Sequence, residues 1–273
     1  MNTPRPQATT PRHTTSDLLN KVPEVTLYFW IIKILATTVG ETIADYLTET
    51  LGFSLNSASV TIAALLAAIL IAQFRARCYL APLYWTAVVL ISVAGTLITD
   101  NLVDDYGVSL WTTTTVFTIA LAATFGAWYA VEHTLSIHTI TTHRREAFYW
   151  AAILFTFALG TAAGDLLAES VGLGFLTSAA IFAAAIAVIA FAHLKLGLNP
   201  VLAFWLAYIL TRPLGASIGD LLSQSPADGG LGLGTTATSG LFLLAIAATV
   251  IYLTITKRDV ETASGTTQLS YSS

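Results

Sequence analysis

Charged residues are scarce in this chain, and cysteine is nearly absent. Asp, Glu, Lys and Arg together make up 10% of the 273 residues, against about 25% in typical soluble proteins. Hydrophobic residues reach 55%, and the mean hydropathy is +0.72. These values exclude an ordinary soluble fold and indicate an integral membrane protein. The lone Cys78 excludes an internal disulfide, and its neighbours Arg75 and Arg77 favour a reduced cytoplasmic loop.

Motifs of catalysis and nucleotide binding are also missing. No glycine-rich loop precedes a basic residue, and the GLGLG segment at 230–234 follows no strand. No arrangement of Ser, His and Asp indicates a nucleophile with its base. His133, His138 and His143 recur every five residues, which places them on no common helix face. We therefore expect no enzymatic activity, no resident cofactor and no nucleic-acid partner.

Apolar runs long enough to cross a bilayer occur eight times. A hydrocarbon core of about 30 Å takes about 20 helical residues. We place the spans at approximately 24–46, 57–74, 80–101, 110–131, 147–168, 175–194, 200–222 and 236–256. The sequence thus predicts an all-α integral membrane protein with eight transmembrane helices in a domain over 21–256. The polar segments 1–20 and 257–273 are predicted to be disordered cytoplasmic tails.

One short pattern occurs four times in the same register. Each copy begins with Trp and ends with Asp 15 residues later, with Gly between them. The copies are Trp30, Gly40, Asp45; Trp85, Gly95, Asp100; Trp150, Gly160, Asp165; and Trp205, Gly215, Asp220. The Trp residues are 55, 65 and 55 residues apart, which indicates two halves of two repeats each, over approximately 24–74, 80–131, 147–194 and 200–256.

The repeats are expected to be parallel. Because each repeat contains two spans, all four copies cross the membrane in the same direction, about an axis along the membrane normal. We expect the four odd spans to converge on this axis and the four even spans to surround them.

The basic residues predict the orientation. Ten of the 12 Lys and Arg residues lie in the tails or in the loops that join one repeat to the next. The loops within repeats contain none. By the positive-inside rule both termini are cytoplasmic, and the chain is expected in the cell (inner) membrane.

The motif acids are the main candidates for function, since ionisable residues in apolar spans are costly. On each odd span, residues at four-residue spacing lead to the Asp along one helix face. Carboxylates and hydroxyls are ligands of hard cations. The predicted ion-binding residues are Thr37, Glu41, Asp45, Thr96, Asp100, Thr161, Asp165 and Asp220. Among them Asp45 and Glu41, two acids on one face, are the candidate metal ligands.

A structural role for the four Asp residues is the open alternative. Each carboxylate could accept hydrogen bonds from the N-terminus of a following span, where Ser57, Thr112, Ser178 and Thr235 lie. Such bonds would compensate an acid near a helix C-terminus, where the helix dipole is unfavourable to it.

Two basic residues, Lys33 and Arg212, lie inside spans. At 1.5 Å per residue they are about 18 and 12 Å from the Asp of their own span, too far to pair with it. We predict that Arg212 pairs with Glu41 across the bundle, since the two are offset by one position of the stripe. Charge pairing or gating is the predicted role of both cations.

Small and aromatic residues have predicted places as well. Close helix packing is expected at six glycines: Gly40, Gly95, Gly160, Gly164, Gly215 and Gly219. The aromatic residues around each motif Trp are expected to form a belt at the cytoplasmic headgroups.

Three segments resemble a known repeat: KILATTVGETIADYL at 33–47, WTAVVLISVAGTLITD at 85–100 and FALGTAAGDLL at 157–167. They are similar to the repeat of unknown function found in a group of bacterial integral membrane proteins, the uncharacterised membrane-anchored proteins. The resemblance covers 24–256 and implies a multispan architecture built from such repeats, but no activity.

The function predicted from these patterns is transport of a small cation, a divalent metal or a cation exchanged for protons, through a bundle lined by the odd spans. The alternative is a membrane scaffold or sensor that transports nothing and whose acids cap and pair helices. The expected partners are the lipid bilayer and a small cation or proton. Whether the chain works alone or as a homo-oligomer is left open.

Overall fold

Eight long α-helices make up nearly all of the computed structural model, which describes residues 20–259. They are α1 Leu27–Asp45, α2 Leu55–Arg75, α3 Ala81–Asp100, α4 Leu110–Glu132, α5 His143–Asp165, α6 Phe175–Leu196, α7 Pro200–Ser223 and α8 Thr235–Thr256. Each belongs to a segment of at least 21 residues that is apolar enough to cross a membrane. The described residues contain no strand. The protein is therefore an all-α, multi-pass membrane protein, as predicted.

The predicted tails lie largely outside the described residues, which leave out 1–19 and 260–273. The first residues after α8 are packed onto the bundle. Asp259 is 3% exposed, and its carboxylate accepts a hydrogen bond of 2.6 Å from the Tyr79 hydroxyl. Burial and this carboxylate raise the pKa of Tyr79 well above its usual value, so the hydroxyl stays protonated and donates.

The odd helices form an inner ring. Within an apolar stretch of 18 residues, between 61% and 67% of each odd helix is buried inside the protein, against 17–28% of each even helix. Within the ring α1 packs against α3 and α7, and α5 packs against the same two helices. The axis of the molecule therefore runs between four helices that each carry one copy of the motif.

Each outer helix packs mainly on the inner helix of the next repeat. Thus α2 lies on α3, α4 on α5, α6 on α7, and α8 closes the circle on α1. The repeat in the sequence is an odd helix followed by an even one, whereas the unit of packing is an even helix with the following odd one. This exchange ties the four repeats into one closed bundle.

The motif glycines lie where neighbouring inner helices approach most closely. A Cβ at Gly95 would lie 2.7 Å from Phe157 Cβ of α5, closer than two carbon atoms can pack. The other three motif glycines make the same close approach. Each faces the residue that lies seven positions after the Trp of the next repeat around the ring: Gly40 faces Ser92, Gly160 faces Arg212 and Gly215 faces Thr37. A side chain at these glycines would force the ring open.

Three inner helices end in one π-helical turn directly after the motif Asp. These turns cover Tyr46–Thr50, Asn101–Asp105 and Leu166–Ser170. Helix α7 instead continues past its Asp to Ser223, and Pro226 begins a short 3-10 turn. A π turn is rare and occurs often at functional sites. Here the turns bring a second row of acids to the same end of the bundle.

Candidate functional site: an acidic vestibule

The two ends of the bundle differ in chemistry. The hairpin end is the end that carries the loops within repeats (51–54, 106–109, 171–174 and 224–234), and the terminal end carries the loops between repeats together with residues 20–26 and 257–259. A cavity of about 380 Å³ opens at the hairpin end, on the axis of the inner ring. We call it the vestibule.

Carboxylates dominate the vestibule. Its lining includes Glu41, Asp45, Glu49, Asp100, Asp104, Asp165, Glu169, Asp220 and Asp228. No Lys, Arg, His or Cys residue lines it. A cleft lined by charge of one sign focuses the field and concentrates small ions of the opposite sign.

Three of these acids converge at the floor of the vestibule. One carboxylate oxygen each of Glu41, Asp165 and Asp220 lies within 4.8 Å of the other two. The residues come from α1, α5 and α7, and Glu41 and Asp220 are 5% and 8% exposed. This spacing allows a single cation to touch all three carboxylates at once.

Of the two predicted metal ligands, the structure brings Glu41 but not Asp45 into the convergent group. Asp45 lines the vestibule outside the convergent group, and its carboxylate faces Gln224, whose Nε2 lies 3.5 Å away. Two acids four residues apart share a helix face, but ligands that surround an ion must come from several helices. The glycines of α5 and α7 permit this: Gly219 lies against Glu41, and Gly164 against Ala216.

Arg212 lies under the convergent acids. Its guanidinium is fully buried, and Nη2 donates to Glu41 Oε2 over 2.7 Å. The same nitrogen donates to the hydroxyl oxygens of Thr96 and Thr161, over 2.6 Å for Thr161. Nη1 donates to the Thr37 carbonyl over 3.2 Å. The predicted pair of Glu41 and Arg212 is therefore present, and it links all four inner helices.

The threonines predicted as ion ligands lie around this arginine instead. The hydroxyls of Thr96 and Thr161 each accept a hydrogen bond from the guanidinium. The Thr37 hydroxyl donates to the Ile34 carbonyl over 2.7 Å. None of the three lines the vestibule. Arg212 starts from α7 at the level of Thr37. Its long side chain extends towards the hairpin end, and its guanidinium lies between the hydroxyls of Thr96 and Thr161.

The capping alternative finds no support in the described residues. None of the four motif carboxylates accepts a hydrogen bond from the N-terminus of a following helix. Two of those N-termini are capped locally: Ser54 accepts from the Ser57 N–H and Ser109 from the Thr112 N–H, each over 3.2 Å. The other two begin after Gly174 and Gly234, without a side-chain cap. The motif carboxylates are thus available to groups in the vestibule.

Lys33 lies deeper along the axis and has no ion-pair partner in 20–259. The side chain is 0% exposed, and Nζ makes no hydrogen bond. It lies 3.8 Å from the centre of the Phe157 ring and 4.0 Å from that of Tyr208. Each ring contributes about 2 kcal/mol to a desolvated cation, whereas burying an unpaired ion costs several kcal/mol or more.

Aromatic side chains close the terminal end. Phe29, Tyr84, Tyr149 and Tyr208 are at most 1% exposed, and the hydroxyls of Tyr84 and Tyr149 lie 2.5 Å apart. The motif Trp residues of α3, α5 and α7 are buried as well. The predicted aromatic belt is therefore largely wrong: most of these rings pack inside the bundle, because the inner helices present them to each other rather than to lipid.

Sequence reasoning missed the second row of acids. Glu49, Asp104 and Glu169 each follow a motif Asp by four residues, and Gln224 holds this place in α7. The repeat register contained this signal, but the residues fall in segments that we assigned to loops. The π turns keep them in the helical column, so that they line the vestibule.

Comparison with known proteins identifies the family without an activity. No curated protein and no solved structure matches the chain. The family model "Repeat of Unknown Function (DUF347)" matches four segments, at 28–79, 83–134, 148–197 and 203–259. These segments together span most of the chain and follow the four copies of the Trp, Gly and Asp motif. The chain therefore belongs to the family of the Repeat of Unknown Function (DUF347).

Proposed function

We propose that this protein transports a small, hard cation, a divalent metal or a cation exchanged for protons. The vestibule is the access route, and Glu41, Asp165 and Asp220 form the binding site at its floor. The observation that carries the proposal is the convergence of three carboxylates from three different inner helices, within 4.8 Å of one another, at the floor of a cavity without a basic lining residue.

The donor set favours a particular class of cation. All ligands on offer are oxygens, and neither Cys nor His lines the vestibule. Oxygen donors suit Mg²⁺, Ca²⁺ and Mn²⁺, whereas Zn²⁺ and copper ions favour sulfur and imidazole. We therefore expect Mn²⁺, Mg²⁺ or Ca²⁺ to be carried in preference to Zn²⁺.

Arg212 acts in this proposal as a tethered cation. It neutralises Glu41 when no other cation is bound, and thereby lowers the cost of three acids at one place. An incoming divalent ion competes with the guanidinium for Glu41. The hydrogen bonds of the guanidinium tie α1, α3 and α5 to α7. When the ion replaces the guanidinium at Glu41, these bonds change and the inner helices can move relative to one another.

The basic residues support an orientation in the cell (inner) membrane. Lys21, Arg75, Arg77, Arg144 and Arg145 all lie at the terminal end. By the positive-inside rule we expect that end, with both termini, to lie in the cytoplasm. The vestibule then opens to the outside of the cell.

Reconstituted vesicles test the proposal. Purified protein in liposomes that contain a Mn²⁺-quenched dye is expected to admit Mn²⁺, and Asp165→Asn or Asp220→Asn to abolish the flux. Asp105→Asn is the matched control, because this exposed acid lies on a π turn but does not line the vestibule. Equal flux in all variants, or none in the wild-type protein for Mn²⁺, Mg²⁺, Ca²⁺ and Na⁺, would contradict the proposal.

A scaffold or sensor role is the second candidate, and one observation favours it. The hydrogen bonds of Arg212 join all four inner helices, which is what a purely structural tie would do. In that case Arg212→Gln lowers stability, whereas Asp165→Asn and Asp220→Asn change neither a flux nor the binding of Mn²⁺.

A further inference from the structure

Lys33 is a buried titratable group that takes no part in the binding site described above. Its amine is 0% exposed and makes no hydrogen bond, and no carboxylate lies within ion-pair distance of it in 20–259. It lies over the faces of Phe157 and Tyr208. An ammonium carries three N–H donors and needs acceptors, and here it has only aromatic rings.

We propose that Lys33 carries the proton that is exchanged for the transported cation. This inference rests on the proposed function and specifies it: the transporter is a cation/proton exchanger, and the exchanged proton binds the Lys33 amine rather than a carboxylate of the vestibule.

The charges near the axis lead to this assignment. Arg212 already pairs with Glu41, the nearest acid along α1, so that Lys33 has no counter-charge left. The other titratable groups around it are Tyr208 on α7 and, one level closer to the terminal end, Tyr84 on α3 and Tyr149 on α5. Helix α8, which also packs on α1, contains no charged residue. Without a counter-charge, the ammonium is stabilised only by the faces of the Phe157 and Tyr208 rings, so that a second cation near the axis can displace its proton.

Position explains why binding of the cation and of the proton exclude each other. Lys33 lies eight residues before Glu41, or about 12 Å along the helix. Over that distance, at an effective dielectric constant of about 20, a divalent ion lowers the affinity of the amine for a proton roughly a hundredfold. A protonated Lys33 repels the cation from the site by the same factor.

The proton step balances without another reactant. When the cation displaces Arg212 from Glu41, the inner helices rearrange and water from the vestibule reaches Nζ. An N–H bond of the ammonium then breaks, the electron pair stays on Nζ and the proton passes to that water. When the aromatic closure at the terminal end opens, water reaches Nζ, the amine takes up a proton and the cation is released. The exchange runs in whichever direction the two gradients drive it.

Two substitutions at Lys33 separate proton carriage from packing. Lys33→Met keeps the aliphatic stem and can bind no proton, whereas Lys33→Arg keeps a charge that cannot be lost. Lys195→Met is the matched control, since Lys195 is exposed at the end of α6. Each protein is placed in liposomes with a Mn²⁺-quenched dye or an internal pH dye, and both ion movements are followed under an imposed pH gradient.

Wild type and Lys195→Met are expected to accumulate Mn²⁺ against its gradient and to dissipate the pH gradient in fixed proportion. In Lys33→Met, Mn²⁺ is expected to move down its own gradient, with at least tenfold fewer protons moved per Mn²⁺ than in the wild-type protein. Lys33→Arg is expected to move neither ion. Unchanged coupling in Lys33→Met overturns the role of Lys33 alone. Absence of Mn²⁺ movement in the wild-type protein overturns the proposed function and, with it, the exchange.

Equilibrium binding keeps the test decisive if either variant transports poorly. Mn²⁺ binding is measured in detergent by electron paramagnetic resonance. Lys33→Met is expected to bind Mn²⁺ as tightly as the wild-type protein or more tightly, and Lys33→Arg roughly a hundredfold more weakly. Equal affinity in Lys33→Arg and Lys33→Met overturns the proposal.

Discussion

The hairpin end and the terminal end of the inner ring are built by the same four repeats, yet one is open and acidic while the other is closed and aromatic. At the hairpin end nine carboxylates line a cavity of about 380 Å³. At the terminal end Phe29, Tyr84, Tyr149 and Tyr208 fill the axis and exclude solvent. A path along the axis is thus open from one side only.

The charged residues Glu41, Arg212 and Lys33 lie at the boundary between these two regions. Repetition alone would give four equal helices, but each of these three charges occurs in one repeat only. The positions shared by all four repeats build the ring and the acidic vestibule, and the positions unique to one repeat add Glu41 and the two buried cations. A bundle that is open at one end, with its charges at the closure, is what alternating access requires of one of its states.

The largest expected effect comes from breaking the boundary pair. Arg212→Gln and Glu41→Gln should each cost about 3–5 kcal/mol of unfolding free energy, because each leaves a buried partner unpaired. The double variant should lose clearly less than the sum, as in any coupled pair. Thermal unfolding in detergent provides the measurement. Additive losses would show that the two residues do not interact.

A smaller effect is expected from widening the ring between the two ends. Gly95→Ala places a methyl group 2.7 Å from Phe157 Cβ and should cost about 1–3 kcal/mol. Gly126→Ala on the outer helix α4 is the matched control, since nothing lies within 4 Å of that position. The control should be neutral or stabilising by up to about 1 kcal/mol. Equal unfolding temperatures for the two variants would contradict the close approach.

The smallest effect is expected at the terminal closure. Tyr84→Phe removes the hydrogen bond to Tyr149 and should cost about 0.5–1.5 kcal/mol. Tyr129→Phe, at a ring that is 57% exposed, should change stability by less. Differential scanning fluorimetry of the two variants side by side would show the difference. A larger loss for Tyr129→Phe would mean that the closure contributes little.

The sequence predicts the eight helices and the inner ring well, because the features that determine them are local and repeated. Span length, the Trp, Gly and Asp register and the glycines all act through helix geometry, and the inner ring and the Glu41 pair with Arg212 follow from them. The convergence of Asp165 and Asp220 with Glu41 does not, since it depends on how four helices meet around an axis. The burial of Trp85 and Trp150 was missed for a related reason: an aromatic residue near a helix end suits a lipid headgroup and a packed interior equally well.

Thiol labelling in a Cys78→Ser background tests directly whether the vestibule is open, acidic and able to bind a cation, since no other cysteine is present. Thr48→Cys places a thiol in the vestibule and keeps every acid, and Val88→Cys places one inside the closed region. We expect Thr48→Cys to react at least tenfold faster with a cationic than with an anionic thiosulfonate, Mn²⁺ to slow this reaction, and Val88→Cys to react with neither reagent. Equal rates for the two reagents at Thr48→Cys, with no effect of Mn²⁺, would contradict this expectation.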